Sequence, residues 1–138
     1  MSFTVEIVSA EKAIWSGSAE FVAVPGSQGE LGIYRGHAPL LTYLRPGDVM
    51  VKDEEGERHH FYISGGVVEV QPSGVIVLSD VSARAQDLDE AAILEAKAQA
   101  EEMLRNRQDK LDFAEIEAKL SQMMTQLSTI EKYRASQK

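Results

Sequence analysis

Hydrophobic and polar residues alternate along the chain from its start to about residue 84. Phe3, Val5 and Ile7 are separated by single residues, which is the period of a strand with one buried face. Further along, two pairs of apolar runs each flank a short turn, and these predict hairpins joining 49–51 to 61–63 and 67–70 to 75–78. Short strands at this spacing predict an all-β sandwich or barrel domain over residues 1–86.

From Asp87 onward the period becomes helical. Apolar residues recur at three and four positions in two stretches without Gly or Pro, separated by a polar break at 106–110. Two helices with a short connection predict an antiparallel α-helical hairpin over residues 87–138. We expect the segments 87–90 and 112–115 to begin the two helices, because each has a capping-box pattern. The methionines are expected to fill the hairpin core: Met103, Met123 and Met124.

The first helix has an apolar stripe made largely of alanine, so the hairpin has little apolar surface of its own. Such a pair of helices is marginal unless it packs on something else. The sequence leaves two docking surfaces open, the β domain and a partner protein. We hypothesise that a hairpin with two docking options acts as a switch.

One segment fits neither period. Residues 25–47 hold five of the ten glycines and three of the four prolines, yet they are rich in leucine and tyrosine. The segment is too apolar for a linker and too rich in Gly and Pro for a regular strand. We therefore predict a tightly folded turn segment whose side chains meet a partner.

Composition removes several classes of protein. The formal net charge of −8 disfavours nucleic-acid binding and adhesion to an anionic membrane. No cysteine is present, so neither disulfides nor thiolate chemistry is possible. No apolar run approaches the roughly 18 residues of a membrane-spanning helix. We expect a cytosolic chain that attaches to a membrane only through a partner.

No residue pattern indicates catalysis or a bound metal. Walker A, dinucleotide-binding and nucleophile-elbow motifs are absent from the sequence. His59 and His60 are adjacent in a predicted strand, so they point to opposite faces. Glu57 shares the parity of His59, but no further ligand is spaced for zinc. We expect no metal site, and two partly exposed histidines instead.

Several motifs together are similar to a known family. They occur in order along the whole chain: GELGIYRGHAPLL (29–41), SGGVVEVQP (64–72), VIVLSD (75–80) and ARAQDLDEA (83–91). With the helical hairpin that follows, this arrangement resembles the epsilon subunit of bacterial F-type ATP synthase, most closely in proteobacteria.

The resemblance implies a non-catalytic subunit of the central rotor stalk, peripheral to the cytoplasmic face of the inner membrane. Such a subunit couples rotation of the c-subunit ring to ATP synthesis through gamma. Its hairpin either folds on the β domain or extends toward the alpha and beta subunits, where it restrains ATP hydrolysis.

The resemblance also carries two sets of contacts onto this sequence. The ring-facing loop falls on Gly29, Glu30, Leu31, Gly32 and Ile33. The segment expected to face gamma or the ring falls on Gly36, His37, Ala38 and Pro39. Glu30 and His37 are the expected polar points, and the apolar candidates are Leu31, Ile33 and Tyr34.

One departure from the family bears on cofactors. Some members bind ATP at the start of the hairpin through I/L-D-x-x-R-A. Here Asp89 is retained, but the arginine position holds Ala92, and the next turn offers Gln99. Because arginine is the group that pairs with phosphate, we expect weak or absent ATP binding and no cofactor.

A second interpretation is a free-standing β-sandwich module that binds a small ligand and uses the hairpin as a dimerisation arm. An enzyme is a third class, which the missing motifs disfavour. Co-purification with gamma and c subunits would favour the rotor interpretation, whereas a stable homodimer that binds neither would favour the module.

Overall fold

The computed structural model describes residues 2–105 and 110–137, with the side chains of 110–112 left out of the description. A 3₁₀ turn (Ala85–Asp87) follows the strands and is succeeded by helices α1 (Glu90–Arg105) and α2 (Lys110–Ser136). The described residues form nine strands: β1 (Phe3–Ser9), β2 (Ala13–Gly26), β3 (Gly29–Tyr34), β4 (Leu40–Leu44), β5 (Gly47–Asp53), β6 (Arg58–Ile63), β7 (Gly66–Gln71), β8 (Gly74–Ser79) and β9 (Ser82–Arg84).

The strands form one sheet that folds back on itself. Their order is β1-β8-β7-β4-β2-β5-β6-β9, and β1 also pairs with β2, while β3 pairs with β2. The pairing of β1 with β8 is parallel, and the other pairings are antiparallel. The predicted class, a β-sandwich or barrel followed by two helices, is confirmed.

Alternation along the strands produces the core. In β1 the side chains of Phe3, Val5 and Ile7 are buried and those of Thr4 and Glu6 are exposed. The same alternation in the other strands gives a core dominated by β-branched residues, which suit a pleated surface. Its fully buried members include Val22, Val24, Ile33, Val49, Val51, Ile63, Val68 and Val77.

Both predicted hairpins are confirmed. β5 pairs with β6 and β7 pairs with β8, each in antiparallel register. In the first turn, Asp53 Oδ1 accepts hydrogen bonds from the backbone N–H groups of Glu55 (3.0 Å) and Glu57 (2.9 Å). Gly66 is required by a close backbone approach, because a Cβ there would lie 2.0 Å from the carbonyl oxygen of Leu78.

The prediction of an irregular turn segment over 25–47 is wrong. β2 continues to Gly26, and the residues that follow form β3, β4 and the start of β5. The glycines are tolerated because β3 pairs with β2 alone, so it lies at an edge where backbone irregularity costs little. Only the bends need special conformations, as the positive φ of Gly36 (82°) shows.

The two helices run antiparallel. The carboxylate of Glu90, at the start of α1, lies 2.6 Å from the guanidinium of Arg134, near the end of α2. α1 begins later than predicted, because the 3₁₀ turn occupies 85–87 and Asp89 Oδ1 caps the backbone N–H of Ala92 at 3.1 Å. α2 already includes Lys110, so residue 112 does not begin it. Residues 106–109 of the predicted polar break lie outside the described residues.

The hairpin is docked on the β domain. α2 packs across β5 and β6, and it buries Ile116, Thr129 and Ile130. Met103 and Met124 are each 57% exposed, so the prediction that they fill the core is wrong. None of the helices within the described residues is long and apolar enough to cross a membrane.

Candidate functional site

The outer surface of β4, β7 and β8 is apolar and open to solvent. The strand register aligns Leu41 with Glu69 and Ile76, and Tyr43 with Val67 and Leu78. Directly paired residues project from the same side of a sheet, so these six side chains form one surface, the β4–β7–β8 face. Its most exposed members are Tyr43 (74%), Leu41 (69%) and Leu78 (47%).

Glu69, between Leu41 and Ile76, is the one charged member of the six, and a largely apolar exposed surface of this kind marks an interaction site. Tyrosine is suited to such surfaces because it buries a large ring while its hydroxyl stays hydrogen-bonded. β1 extends the face on one side, since it aligns Val8 with Leu78 in parallel register. The β4–β7–β8 face therefore has the chemistry of a protein-docking surface.

The first set of predicted contact residues lies on β3. Glu30 is exposed, and Leu31 is partly buried against the core. Ile33 is 1% exposed because it points into the core, so its side chain does not reach a partner, and the predicted contact set is corrected there. Tyr34 is exposed and its ring packs against Phe21, with ring centroids 4.6 Å apart.

Backbone hydrogen bonds hold this hairpin against β4. The backbone N–H of Ser27 donates to the carbonyl of Tyr43 at 3.0 Å. Arg45 contributes twice, through its backbone N–H to Pro25 (2.8 Å) and through Nε to Gly26 (3.1 Å). The β2–β3 turn is thus fixed to the strand that carries Leu41 and Tyr43, which makes the two surfaces one rigid unit.

The second set of predicted contact residues forms the connection from β3 to β4. His37 donates its backbone N–H to the carbonyl of Tyr34 at 3.2 Å, and its Nδ1 lies 2.7 Å from the carbonyl oxygen of Ala38. Gly36, Ala38 and Pro39 are exposed. The connection therefore leads from the Glu30 strand directly into the β4–β7–β8 face.

A cleft of about 690 Å³ separates α2 from the β2–β3 turn. Glu30, Asp48, Leu120, Met124 and Lys132 are among the residues that line it. In this folded state, the hairpin thus stands beside the glutamate that was predicted to meet the ring.

A buried polar pair lies under α2. His60 Nδ1 is 3.1 Å from Asp48 Oδ2, and the two side chains are 7% and 8% exposed. The prediction of a partly exposed histidine is therefore wrong for His60. Alternation predicted that His59 and His60 point to opposite faces of β6, but the pattern carried no sign that α2 would cover the face of His60.

Tyr62 is a second polar contact beneath the helix. Tyr62 is buried, and this burial raises the pKa of its phenol above the ordinary value. A side-chain hydrogen bond with Gln122 of α2 lowers the pKa by a smaller amount. The hairpin is therefore seated by polar contacts as well as by apolar packing.

A groove of about 460 Å³ lies between α1 and α2 at the start of the hairpin. Asp89, Ala92, Lys119, Gln122 and Gln126 are among its lining residues. In the part of the lining that the structure describes, Lys119 is the one cationic side chain, and the Asp89 carboxylate is engaged as a helix cap.

Asp53, Glu57 and His59 meet at the turn between β5 and β6, with one ligand-type atom from each within 4.8 Å of the others. His59 Nε2 lies 2.8 Å from Asp53 Oδ2. This hydrogen bond is the largest of the effects that hold the pKa of Asp53 below its ordinary value, and the hydrogen bonds from the turn N–H groups add to it. Partial burial of the carboxylate acts in the opposite direction and raises the pKa. Asp53 was not predicted as a partner of His59, because it lies on the other strand of the hairpin.

Two family models divide the chain between them. The ATP synthase, Delta/Epsilon chain, beta-sandwich domain matches residues 2–85, and the ATP synthase, Delta/Epsilon chain, long alpha-helix domain matches residues 86–131. The chain belongs to the ATP synthase delta/epsilon family. The predicted resemblance is confirmed, and both halves of the family architecture are present.

Relatives within the delta/epsilon family match over nearly the whole chain. The ATP synthase epsilon chain of Alkalilimnicola ehrlichii is 55% identical over 130 residues, which cover 94% of this chain and 93% of the relative. ATP synthase epsilon chain 1 of Methylococcus capsulatus is 50% identical over 134 residues, covering 97% and 96%.

A solved structure shares the fold at low identity. A chain in the cryo-EM structure of the Euglena gracilis mitochondrial ATP synthase, comprising OSCP, F1 and c-ring in rotational state 1, superposes with a TM-score of 0.71 at 19% identity. The match covers 99% of this chain and 82% of that one. The delta/epsilon fold thus extends over both the sandwich and the hairpin.

Proposed function

We propose that this chain is a non-catalytic central-stalk subunit of an F-type ATP synthase, which transmits c-ring rotation to gamma. The observation that carries the proposal is a single rigid unit with two exposed surfaces, the β2–β3 turn with Glu30 and the β4–β7–β8 face. Both surfaces are presented by a chain whose relatives at about half identity are named ATP synthase epsilon chains.

The β4–β7–β8 face is assigned to gamma. Its exposed Leu41, Tyr43 and Leu78 offer the aromatic and aliphatic anchors that dominate protein interfaces. A docking partner would remove this apolar surface from water, and the stiff sheet beneath it would lose little conformational freedom on binding. The connection with His37 lies at the margin of this face and contributes polar contacts.

The β2–β3 turn is assigned to the c-ring. Glu30 is exposed there, and its carboxylate suits polar or cationic groups on the loops of the ring. Hydrogen bonds from Ser27 and Arg45 fix the turn to β4, so a lateral force applied at Glu30 passes into the face assigned to gamma rather than bending the turn.

The hairpin is assigned a regulatory role. Docked on β5 and β6, it keeps Asp48, His60 and Tyr62 out of water. An extended hairpin would reach the alpha and beta subunits and restrain ATP hydrolysis there. Its large exposed hydrophobic residues, Leu94, Met103 and Met124, are available for that second contact without unfolding either helix.

ATP does not regulate this hairpin through tight binding. The groove between the helices lacks an arginine among its described lining residues, and Asp89 is already a helix cap. A triphosphate needs several cationic or N–H donors, and Lys119 supplies one. Isothermal titration of the purified protein with ATP should give no micromolar binding, and micromolar binding would refute this part of the proposal.

Peripheral attachment at the cytoplasmic face of the inner membrane follows from the proposed partners. The chain would be held there by gamma and the c-ring, since no helix in the described part of the chain is long and apolar enough to span a membrane. Washed membranes should retain it when the rotor is intact and release it when gamma is absent.

Charge reversal at Glu30 tests the ring assignment. Glu30→Lys should weaken coupling of proton flow to ATP synthesis while the isolated protein keeps its fold. Glu54→Lys is the matched control, because Glu54 is also an exposed glutamate but lies in the β5–β6 turn. Equal coupling in the two variants would contradict the assignment.

A further inference from the structure

The β5–β6 turn holds a group of side chains that the rotor function does not use. Asp53, Glu57 and His59 bring two carboxylates and an imidazole to one point. Asp53 is paired with Ala19 of β2, and the turn that carries Glu30 begins after Gly26, the last residue of β2. About seven residues, or roughly 23 Å of strand, therefore separate the β5–β6 turn from the β2–β3 turn. The group is therefore outside the surface assigned to the ring.

We propose that Asp53, Glu57 and His59 form a binding site for a divalent transition-metal ion of the Zn²⁺ type. One imidazole nitrogen with two carboxylate oxygens is a donor set that such ions accept, with water completing the coordination. The hard ions Mg²⁺ and Ca²⁺ prefer oxygen donors alone, so the imidazole selects against them.

The distances suit a single ion. Zn²⁺ binds nitrogen and oxygen ligands at about 2.0–2.2 Å, so ligand atoms on one ion lie about 2.9–3.4 Å apart. His59 Nε2 and Asp53 Oδ2 are already 2.8 Å apart. If these two atoms move apart by a few tenths of an ångström and give up the hydrogen bond between them, both can bind the same ion.

The turn holds one ligand in place before any ion binds. Asp53 Oδ1 is fixed by the N–H groups of Glu55 and Glu57, which leaves Oδ2 aimed at His59. Glu57 is exposed, so its carboxylate can rotate onto an ion without displacing packed atoms. Asp53 and His59 retain some exposure, 14% and 30%, which leaves a path for an ion from solvent.

Neighbouring cations do not block the site. Lys52 and Arg58 are paired across the hairpin and point to the side that faces α2, whereas Asp53 and His59 point to the other side. Of the three proposed ligands, Glu57 is the one that lines a pocket together with both cations, and its exposed carboxylate can turn from them toward Asp53 and His59. Lys52 also lies 3.9 Å from Glu20, which takes up part of its charge. The two carboxylates of the site are thus available to balance a divalent ion.

The single tryptophan makes the site observable. Trp15 packs against His59 with ring centroids 5.2 Å apart, and a Cu²⁺ ion bound beside the imidazole quenches indole fluorescence at this range. Cu²⁺ also binds such donor sets more tightly than Zn²⁺, so it is the sensitive probe. Zn²⁺ does not quench, so it should restore the fluorescence when it displaces Cu²⁺.

The test is a Cu²⁺ titration of the full, untagged chain, followed by competition with a large excess of Zn²⁺, which the tighter binding of Cu²⁺ requires. We expect saturable quenching at one ion per chain, reversed by Zn²⁺. His59→Gln should weaken Cu²⁺ at least about tenfold, and Glu57→Gln should also weaken it measurably, since losing a ligand costs at least as much as losing a supporting hydrogen bond.

Two matched variants separate this site from general surface binding. His37→Gln removes a histidine elsewhere, and Glu55→Gln removes a neighbouring carboxylate in the same turn, and both should keep the affinity of the unaltered chain. Glu57→Gln alters only an exposed turn side chain, so it keeps the test valid if His59→Gln folds poorly. Quenching that does not saturate, that Zn²⁺ fails to reverse, or that survives in both His59→Gln and Glu57→Gln would overturn the proposal.

Discussion

The buried pair of Asp48 and His60 gives the sharpest prediction about how the hairpin docks. His60→Ala leaves the Asp48 carboxylate without its partner under α2, at a site where both side chains are less than 10% exposed. Removing one member of a buried pair costs about 3–5 kcal/mol, because the remaining charge stays desolvated. The penalty applies only when the hairpin covers the site, so it should lower the docking constant by at least about 100-fold.

Native-state hydrogen exchange measures this directly. Amides of α2 around Thr129 and Ile130 should lose about 3 kcal/mol of protection in His60→Ala, because an undocked hairpin of this composition frays in water. Amides in β1 and β8 should keep their protection, since neither strand borders the pair. His37→Ala is the control, because His37 lies in the connection between β3 and β4 and not in the strands under α2, so it should change α2 protection by less than about 0.5 kcal/mol.

The double variant Asp48→Ala/His60→Ala adds a check on the cause. Once the carboxylate is removed as well, neither member of the pair remains as a buried charge. The loss of α2 protection in the double variant should therefore be well below the sum of the losses in the two single variants. If His60→Ala leaves α2 protection within about 0.5 kcal/mol of the parent protein, the buried pair does not stabilise docking. The same conclusion follows if helix and strands lose protection equally, because the pair would then stabilise the sandwich rather than the docking.

Three further predictions follow from other contacts. Asp89→Ala should destabilise α1 by about 1 kcal/mol through loss of the cap on Ala92, seen as lower helicity by circular dichroism, whereas Asp87→Ala should not. Tyr43→Ala should weaken co-purification with gamma without lowering the melting temperature, because its side chain is exposed in the isolated chain. Since the pKa of Asp53 is lowered on folding, its contribution to stability is present above its ordinary value of 3.8 and is lost as pH falls through the lower folded value. Urea unfolding should therefore show a smaller acid loss of stability in Asp53→Asn, and an unchanged pH profile would contradict that assignment.

The sequence predicted those parts of the fold that depend on local periodicity. Alternation at Phe3, Val5 and Ile7 located β1 and its buried face, and the helical period located both helices. The prediction for segment 25–47 was wrong because the propensity rules describe central strands, whereas β3 lies at an edge. The two glycines of this segment with positive φ, Gly29 and Gly36, lie at the start of β3 and just after its end.

The candidate sites depended more on contacts between distant residues. Glu30 was located from its motif, but the burial of Ile33 became evident only when β2 and β3 paired. His60 was expected to be partly exposed because strand parity does not say which element covers a face. Asp53 was missed as a neighbour of His59 because the hairpin register, not the spacing along the chain, brings the two together.

The most direct test of the central claim is a cryo-EM structure of the ATP synthase assembled with this subunit. We expect Glu30 and the β2–β3 turn to contact the loops of the c-ring, and gamma to bury Leu41, Tyr43 and Leu78. A rotor in which the β4–β7–β8 face remains open to solvent, or in which another edge of the sandwich meets the ring, would contradict this expectation.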